Sequence, residues 1–93
     1  MVVEIWRVVS AQALPGLLLK VVFVDGSEGE VEMEDFLADG RVDGTPFEPL
    51  RDPEIFRQVA VVLGAIQWPS GADLAPDAMY DAIREKGRWV LGF

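Results

Sequence analysis

One stretch constrains this 93-residue chain more than any other: Ile66-Gln67-Trp68-Pro69-Ser70-Gly71-Ala72-Asp73-Leu74-Ala75-Pro76-Asp77-Ala78-Met79-Tyr80. Each residue type in it has a backbone task. Trp68 closes an apolar run that reads as a strand, and Pro69, lacking an N–H, cannot carry a ladder further. Gly71 supplies a left-handed backbone position, Asp73 can bond the N–H groups that follow it, and Pro76 suits the first turn of a helix. The segment is therefore expected to run strand, ordered loop, helix. If Asp73 is buried, it must accept hydrogen bonds from loop N–H groups, and it then holds the crossing from Trp68 to Pro76.

The remaining elements follow from pattern and punctuation. Residues 2–9 read as a first strand, with Val3, Ile5 and Val9 on one side and Trp6 and Val8 on the other. Pro15-Gly16 marks a turn. Residues 17–24 are apolar on both faces except at Lys20, which suggests an interior strand covered on two sides. Residues 28–34 alternate, with Gly29, Val31 and Met33 opposed to four glutamates, so one face is buried and one is wet. A two-residue Asp25-Gly26 loop would oppose Leu19 to Glu32. A three-residue loop with Gly26 left-handed instead pairs Lys20 with Glu30 and Leu19 with Val31, and that register is expected.

Asp35-Phe36-Leu37-Ala38 makes a short helical turn ending near Gly40. Residues 41–50, with Gly44, Pro46 and Pro49, are irregular. Asp52-Pro53-Glu54 is a helix start that holds Ile55 and Phe56. Residues 58–63 and 65–68, split by Gly64, form a second hairpin. Residues 76–86 are the main helix, with Met79, Ala82, Ile83 and Lys86 on one stripe, Leu74 and Met79 placed as a hydrophobic staple, and Gly87 as terminator. The fold class is α+β: a mostly antiparallel sheet of two hairpins covered by short helices and one longer C-terminal helix. Residues 1–87 form a single domain, and residues 88–93 an apolar C-terminal tail.

Composition limits the chemistry. There is no Cys, which removes disulfides and thiolate metal sites and makes a reducing cytoplasm the default. There is no His, the commonest general base and metal ligand near neutral pH. No apolar run reaches membrane-span length, and the N-terminus lacks a signal pattern, so a cytoplasmic chain without membrane contact is expected. Net charge is −8, and residues 25–54 hold eleven acids against Arg41 and Arg51 alone. Such a surface repels phosphate backbones, and the small patch of Arg84, Lys86 and Arg88 does not offset it, so direct nucleic-acid binding is not expected.

Each candidate site also has a plain structural role. A nucleophile would have to be Ser10, Ser27, Thr45 or Ser70, and no strand–Gly-x-Ser-x-Gly elbow surrounds any of them. Asp77, Asp81 and Glu85 share a helix face that a divalent cation could use, but acids near a helix start also favour its dipole and read as a solvated row. Trp68 and Tyr80 line either a pocket or the core. No catalytic, cofactor-binding or metal residue is assigned, and no cofactor is expected. Trp89, Val90, Leu91 and Phe93 are too apolar for a free tail: either they pack on their own sheet or they cover a neighbouring subunit. A homodimer through the tail or an exposed strand edge is the sharper alternative.

The Trp68-to-Tyr80 segment resembles the signature Trp-Pro-Asn-Gly-Ala-Asp-Leu-x-Pro-x-x-Leu-Tyr of the bacterial family catalogued as domain of unknown function 2442. The likeness extends through Val22-Phe23-Val24-Asp25-Gly26, Gly29-Glu30-Val31-Glu32-Met33, Phe36-Leu37 and Phe47-Glu48-Pro49-Leu50-Arg51-Asp52-Pro53, over roughly residues 3–82. Ser70 stands where Asn is usual, and Met79 where Leu is. The resemblance implies a fold but no reaction, with Trp68, Pro69, Gly71, Asp73, Pro76 and Tyr80 as its structural signature. Similar domains are commonly encoded beside a small protein of the domain of unknown function 4160 family, in arrangements that look like toxin–antitoxin pairs. Others are fused to a helix-turn-helix, for which the six residues after Gly87 leave no room. The expected function is thus non-enzymatic: a protein–protein interaction domain, the acidic partner of a basic small protein in a toxin–antitoxin-like or regulatory pair. The alternative is a small-molecule or divalent-metal-binding domain using carboxylates near the Trp68–Asp73 loop.

Overall fold

The computed structural model describes residues 4–92. Its expected Pro15-Gly16 turn joins β1 (Val8–Leu14) to β2 (Leu18–Phe23), and β2 continues into β3 (Glu28–Glu32). The β2–β3 register is the one that charge pairing demands, with Leu19 opposite Val31 and Lys20 opposite Glu30. The Phe23 N–H donates to the Ser27 carbonyl at 2.8 Å and the Gly26 N–H to the Phe23 carbonyl at 2.9 Å, closing a three-residue loop with Gly26 at φ +88°. Only a left-handed residue closes this turn without splaying the strands.

The first strand lies later than the expected residues 2–9, the first of which fall outside the described region. Pairing outward from the Pro15 turn sets Leu14 against Leu18, and the strand ends at Val8 opposite Phe23. An irregularity between Val8 and Ser10 turns Val9 outward, so Val8, Ala11 and Ala13 face inward. Expected cover on both faces of β2 is also corrected. β2 is interior in strand order, yet only Leu19, Val21 and Phe23 are buried; Leu18 and Val22 are half-buried on an open face shared with Lys20.

Next come α1 (Glu34–Ala38) and two 3-10 turns (Gly40–Val42 and Glu48–Arg51), which fill the stretch expected to be irregular. α2 (Pro53–Phe56) begins as anticipated, with the Asp52 carboxylate accepting the Glu54 N–H at 2.9 Å. The second hairpin, β4 (Ala60–Val62) and β5 (Ala65–Gln67), turns through Leu63 (φ +51°) and Gly64 (φ +81°). It belongs to a second sheet, because a strand not anticipated in the Trp68 segment, β6 (Asp73–Leu74), pairs with β5. The Trp68 loop repeats the Gly26 turn: Trp68 N–H to the Ala72 carbonyl and Gly71 N–H to the Trp68 carbonyl, each 3.0 Å, with Gly71 at φ +96°.

The main helix, α3 (Pro76–Lys86), turns Met79, Tyr80 and Ile83 inward; Tyr80, rather than the expected Lys86, completes the buried stripe. Gly87 at φ +79° ends it and sends the chain into β7 (Arg88–Val90). This tail is a strand of the first sheet, parallel to β3 with Trp89 beside Val31, and the Leu91 N–H extends the ladder to the Glu32 carbonyl. The result is α+β: a four-stranded sheet in the order β1-β2-β3-β7 and a three-stranded sheet β4-β5-β6, with a single core between sheets and helices.

Gly29 fixes how closely α3 approaches β3. A Cβ there would lie 2.7 Å from Ile83 Cγ2 and 2.9 Å from the Gly87 carbonyl oxygen. One of those atoms is backbone, so the helix itself must shift. Gly29→Ala is therefore expected to cost about 1–3 kcal/mol. Urea unfolding measures this, and an unchanged midpoint would refute the close approach.

Candidate functional site

The signature residues converge on backbone groups. Trp68 is buried, and its indole N–H donates to the Phe56 carbonyl at 2.9 Å, while its ring lies 5.8 Å from that of Phe56. The indole thus gives the shorter of two bonds to a carbonyl at the end of α2, the other coming from the Val59 N–H at 3.3 Å. Pro69, Ser70 and Gly71 form the loop above it. The Ser70 hydroxyl donates to the Pro46 carbonyl at 2.8 Å and so pins the loop to the preceding 3-10 region. Pro76 opens α3 after Ala75, and Leu74 and Met79 are both buried at the staple positions. The condition for Asp73 as a buried crossing clamp is not met: it is exposed on β6, and its neighbours Ala72 and Leu74 are the buried ones.

Tyr80 joins the signature to the β2–β3 turn. Its hydroxyl donates to Asp25 Oδ2 at 2.6 Å, Asp25 Oδ1 accepts the Ser27 N–H at 2.9 Å, and Phe23 meets the Tyr80 ring edge-on at 5.0 Å. Arg84 lies 5.9 Å over the Tyr80 ring and reaches the Ser27 hydroxyl at 3.3 Å. The Tyr80 hydroxyl, then the Ser27 N–H, hold the Asp25 carboxyl below its ordinary 3.8, with the Arg84 charge adding to them. The same bond to Asp25 pushes the Tyr80 phenol above 10.0. A phenol locked as donor to a carboxylate is a clamp between α3 and the turn.

Arg51 plays the corresponding part in the other half. Its Nε donates to the Leu37 carbonyl at 2.6 Å and its Nη2 to the Asp39 carbonyl at 3.1 Å, while Asp43 pairs with it at 2.7 Å. It thereby holds the end of α1 while Leu50 is fully buried beside it and Phe47 meets Phe36 edge-on at 5.1 Å. Thr45, one of the hydroxyls considered as a nucleophile, donates to the Val42 carbonyl at 2.7 Å. Ser27 accepts from Arg84, and Ser10 is exposed on β1.

Asp77, Asp81 and Glu85 are exposed along α3, with Asp77 bonded to the Ala78 N–H at 2.9 Å. No group of three or more acids among the described residues is arranged to hold a metal ion. Trp89 and Leu91 pack partly against the core, Val90 points outward from the sheet, and Phe93 lies outside the described residues. Arg88 forms an ion pair with Glu32 at 2.7 Å, so this member of the small basic patch faces the acidic strand.

Two concavities escaped sequence reading because each joins elements remote in the chain. An apolar cleft of about 450 Å³ lies between the β1–β2 turn and α2, floored by Leu14, Leu17, Pro53 and Phe56. On the opposite side of that turn, a groove of about 290 Å³ has Leu18 and Val90 as its base and Glu32, Glu34 and Asp35 as its wall. No helix among the described residues is long and apolar enough to cross a membrane.

The family described as Protein of unknown function (DUF2442) matches residues 8–85, from the start of β1 almost to the end of α3. The chain belongs to that family. No curated protein and no solved structure matches it. Within this DUF2442 chain, the turn at Asp25-Gly26, the stretch around Arg51 and the Trp68 segment meet through Tyr80, Ser70 and the Trp68 indole.

Two outcomes follow from these clamps. Trp68→Phe removes the indole bond and leaves the Phe56 carbonyl only the Val59 N–H at 3.3 Å, and is expected to cost about 0.5–1.5 kcal/mol in urea unfolding. Tyr80→Phe is expected to lower stability near neutral pH and to flatten its pH dependence. The folded Asp25 value is depressed, so its contribution is complete above the unfolded carboxylate value of about 4 and is lost as pH falls through the folded one. The raised Tyr80 value contributes below about 10 and is lost as pH rises through it. Unfolding midpoints across pH check this: wild type and variant should converge at both extremes, and a gap independent of pH would refute the clamp.

Proposed function

We propose that this DUF2442 domain is a non-enzymatic, cytoplasmic binding module that docks a basic segment of a partner protein on the open face of its four-stranded sheet. The observation that carries the reading is the groove beside the β1–β2 turn. Leu18 is half-buried and Val90 exposed at its base, while Glu34 and Asp35 stand exposed at its rim. A lysine or arginine can lay its aliphatic stem on Leu18 and Val90 and carry its charge to those carboxylates. The acids around the groove differ in availability: Glu32 is paired with Arg88, whereas Glu34 and Asp35 start α1 and face solvent. Arg51 is spent on Leu37, Asp39 and Asp43, and Arg57 is paired with Glu54. The acidic excess therefore remains to meet a cation from outside. A toxin–antitoxin-like or regulatory pair with a small basic protein is the finer form of this reading.

A second reading has its own observation, the apolar cleft between the β1–β2 turn and α2, whose volume suits a small molecule. It differs from the site expected from sequence, since no residue of the Trp68–Asp73 loop lines the cleft.

Capture from a lysate of the encoding organism tests the first reading. Wild-type bait should retain a basic protein that is released by raised salt, and Glu34→Lys with Asp35→Lys should lose it. Retention unchanged by the double variant would overturn the groove as the docking site. Thermal melting separates the divalent-metal alternative, since a cation bound to the folded form must raise the midpoint. Millimolar Mg²⁺ or Ca²⁺ is expected to leave it where it was.

A further inference from the structure

The large apolar side chains that stand exposed among the described residues are not scattered. Ile5, Val9, Val24, Val62 and Leu63 gather around the start of β1, leaving only Val90 elsewhere. Two backbone bonds draw them together: Val8 N–H to the Gly64 carbonyl at 2.9 Å and Val24 N–H to the Arg7 carbonyl at 2.8 Å. Leu63 protrudes most, 86% exposed at the tip of the β4–β5 turn. At the other end of β1, Ala13 and Leu14 line the apolar cleft. One edge strand thus carries an apolar knob at its start and an apolar hollow at its end.

β1 is also an edge strand, protected at its start by the irregularity between Val8 and Ser10 and by the Gly64 contact but open beyond them. It is the outer strand of the four-stranded sheet, and from Ser10 onward its only ladder partner among the described residues is β2. Its sequence, Val-Val-Ser-Ala-Gln-Ala-Leu, has no charge, proline or glycine, the devices that commonly prevent edge strands from pairing. The opposite edge, β7, has three residues and carries Arg88. In a chain of net charge −8, this seven-residue edge carries no charge of its own.

We propose that two copies associate about a two-fold axis by antiparallel pairing of β1 with β1, centred near Gln12. Because Val8 is already engaged by Gly64, the free edge runs from Ser10 to Leu14, and its midpoint is Gln12. Antiparallel pairing about that point brings the start of one strand to the end of the other. The Leu63 turn of each copy then falls beside the cleft of its mate, and the same contact is made twice, as an isologous interface requires. The inference is separate from the basic-partner reading: Leu63 and Gln12 lie outside the groove of Glu34 and Asp35.

Sedimentation equilibrium over a concentration series tests it on wild type, Leu63→Asn and Gln12→Lys, with melting curves as the control for folding. Wild type should rise from 10.3 kDa toward twice that mass. Leu63 sits at φ +51°, where Asn is at ease, and Asn-Gly is the preferred pair for such a turn, so this variant should melt no lower than wild type. It should nevertheless dimerise at least about tenfold more weakly, since each interface loses two buried leucines. Gln12→Lys should weaken it comparably, and raised salt should restore part of the loss. Amide exchange in wild type should slow at Ser10–Leu14 as concentration rises. A wild type that stays monomeric to millimolar concentration, or variants that dimerise like wild type, would overturn the proposal. So would concentration-dependent protection at Arg88–Val90 in place of β1, which would put the interface at the tail.

Discussion

The buried bond from the Trp68 indole to the Phe56 carbonyl is the contact on which the two halves of this domain depend. α2 is only four residues long and cannot hold itself together by its own ladder. Its start is fixed by the Asp52 carboxylate, and its end by a side chain from a different sheet. Phe56 is thereby held under the first sheet, where it is fully buried, while its backbone terminates against Trp68 from the second. Removing the indole leaves that carbonyl only the longer bond from the Val59 N–H and also frees the ring that supports Phe56. The Ser70–Pro46 bond repeats the tie a few residues away, at the surface. Trp68, Ser70 and Gly71 are in this sense the hinge pins of an assembly whose individual elements are too short to be stable alone.

Electrostatics in the molecule follows a division of labour. The two arginines inside the acidic stretch point in different directions: Arg51 reaches the carbonyls at the end of α1, and Arg41 pairs with Asp39 at 3.0 Å on the surface. Surface pairs of that kind contribute little, whereas the Arg51 guanidinium gives the Leu37 carbonyl a donor that α1 cannot supply and adds one to the Asp39 carbonyl, which also accepts the Val42 N–H. Asp25 and Tyr80 are the counterpart on the other side, a carboxylate and a phenol whose mutual bond ties α3 to the β2–β3 turn. Charge used in this way organises backbone, and charge left over, as at Glu34 and Asp35, is displayed.

Much of this was legible in the chain because local rules and global fold agree. The Lys20–Glu30 register, the left-handed Gly26, the Asp52 cap and the Gly87 stop each need only nearby residues to be read. The displaced first strand was not legible, since Ser10, Ala11, Gln12 and Ala13 are too small or polar to show an alternation, and their pairing is dictated by the turn that follows them. β6 was hidden for a different reason. Pro69 suggests an end to pairing, yet the Trp68 loop uses the same three-residue turn as Val24-Asp25-Gly26. The clamp role that Asp73 would have if buried does not arise, because in this alternating stretch Ala72 and Leu74 face inward and Asp73 faces solvent. The cleft and the groove carry no sequence signal, because each is made by the β1–β2 turn facing elements from distant parts of the chain.

That turn is the structural link between the two surfaces we propose. Pro15 and Gly16 line both the apolar cleft toward α2 and the acidic groove toward β7. Gly16 and Leu17 both occupy left-handed backbone, a conformation that costs a leucine free energy and persists only where surrounding contacts hold it. The Met33 N–H donating to the Leu17 carbonyl at 3.1 Å supplies one such contact, and Leu17 packing against the core supplies another. Filling the cleft would brace the turn from its inner side without touching Glu34 or Asp35 on the outer one. The two proposed contacts are therefore compatible on one molecule, and the backbone of Pro15, Gly16 and Leu17 is the segment they share.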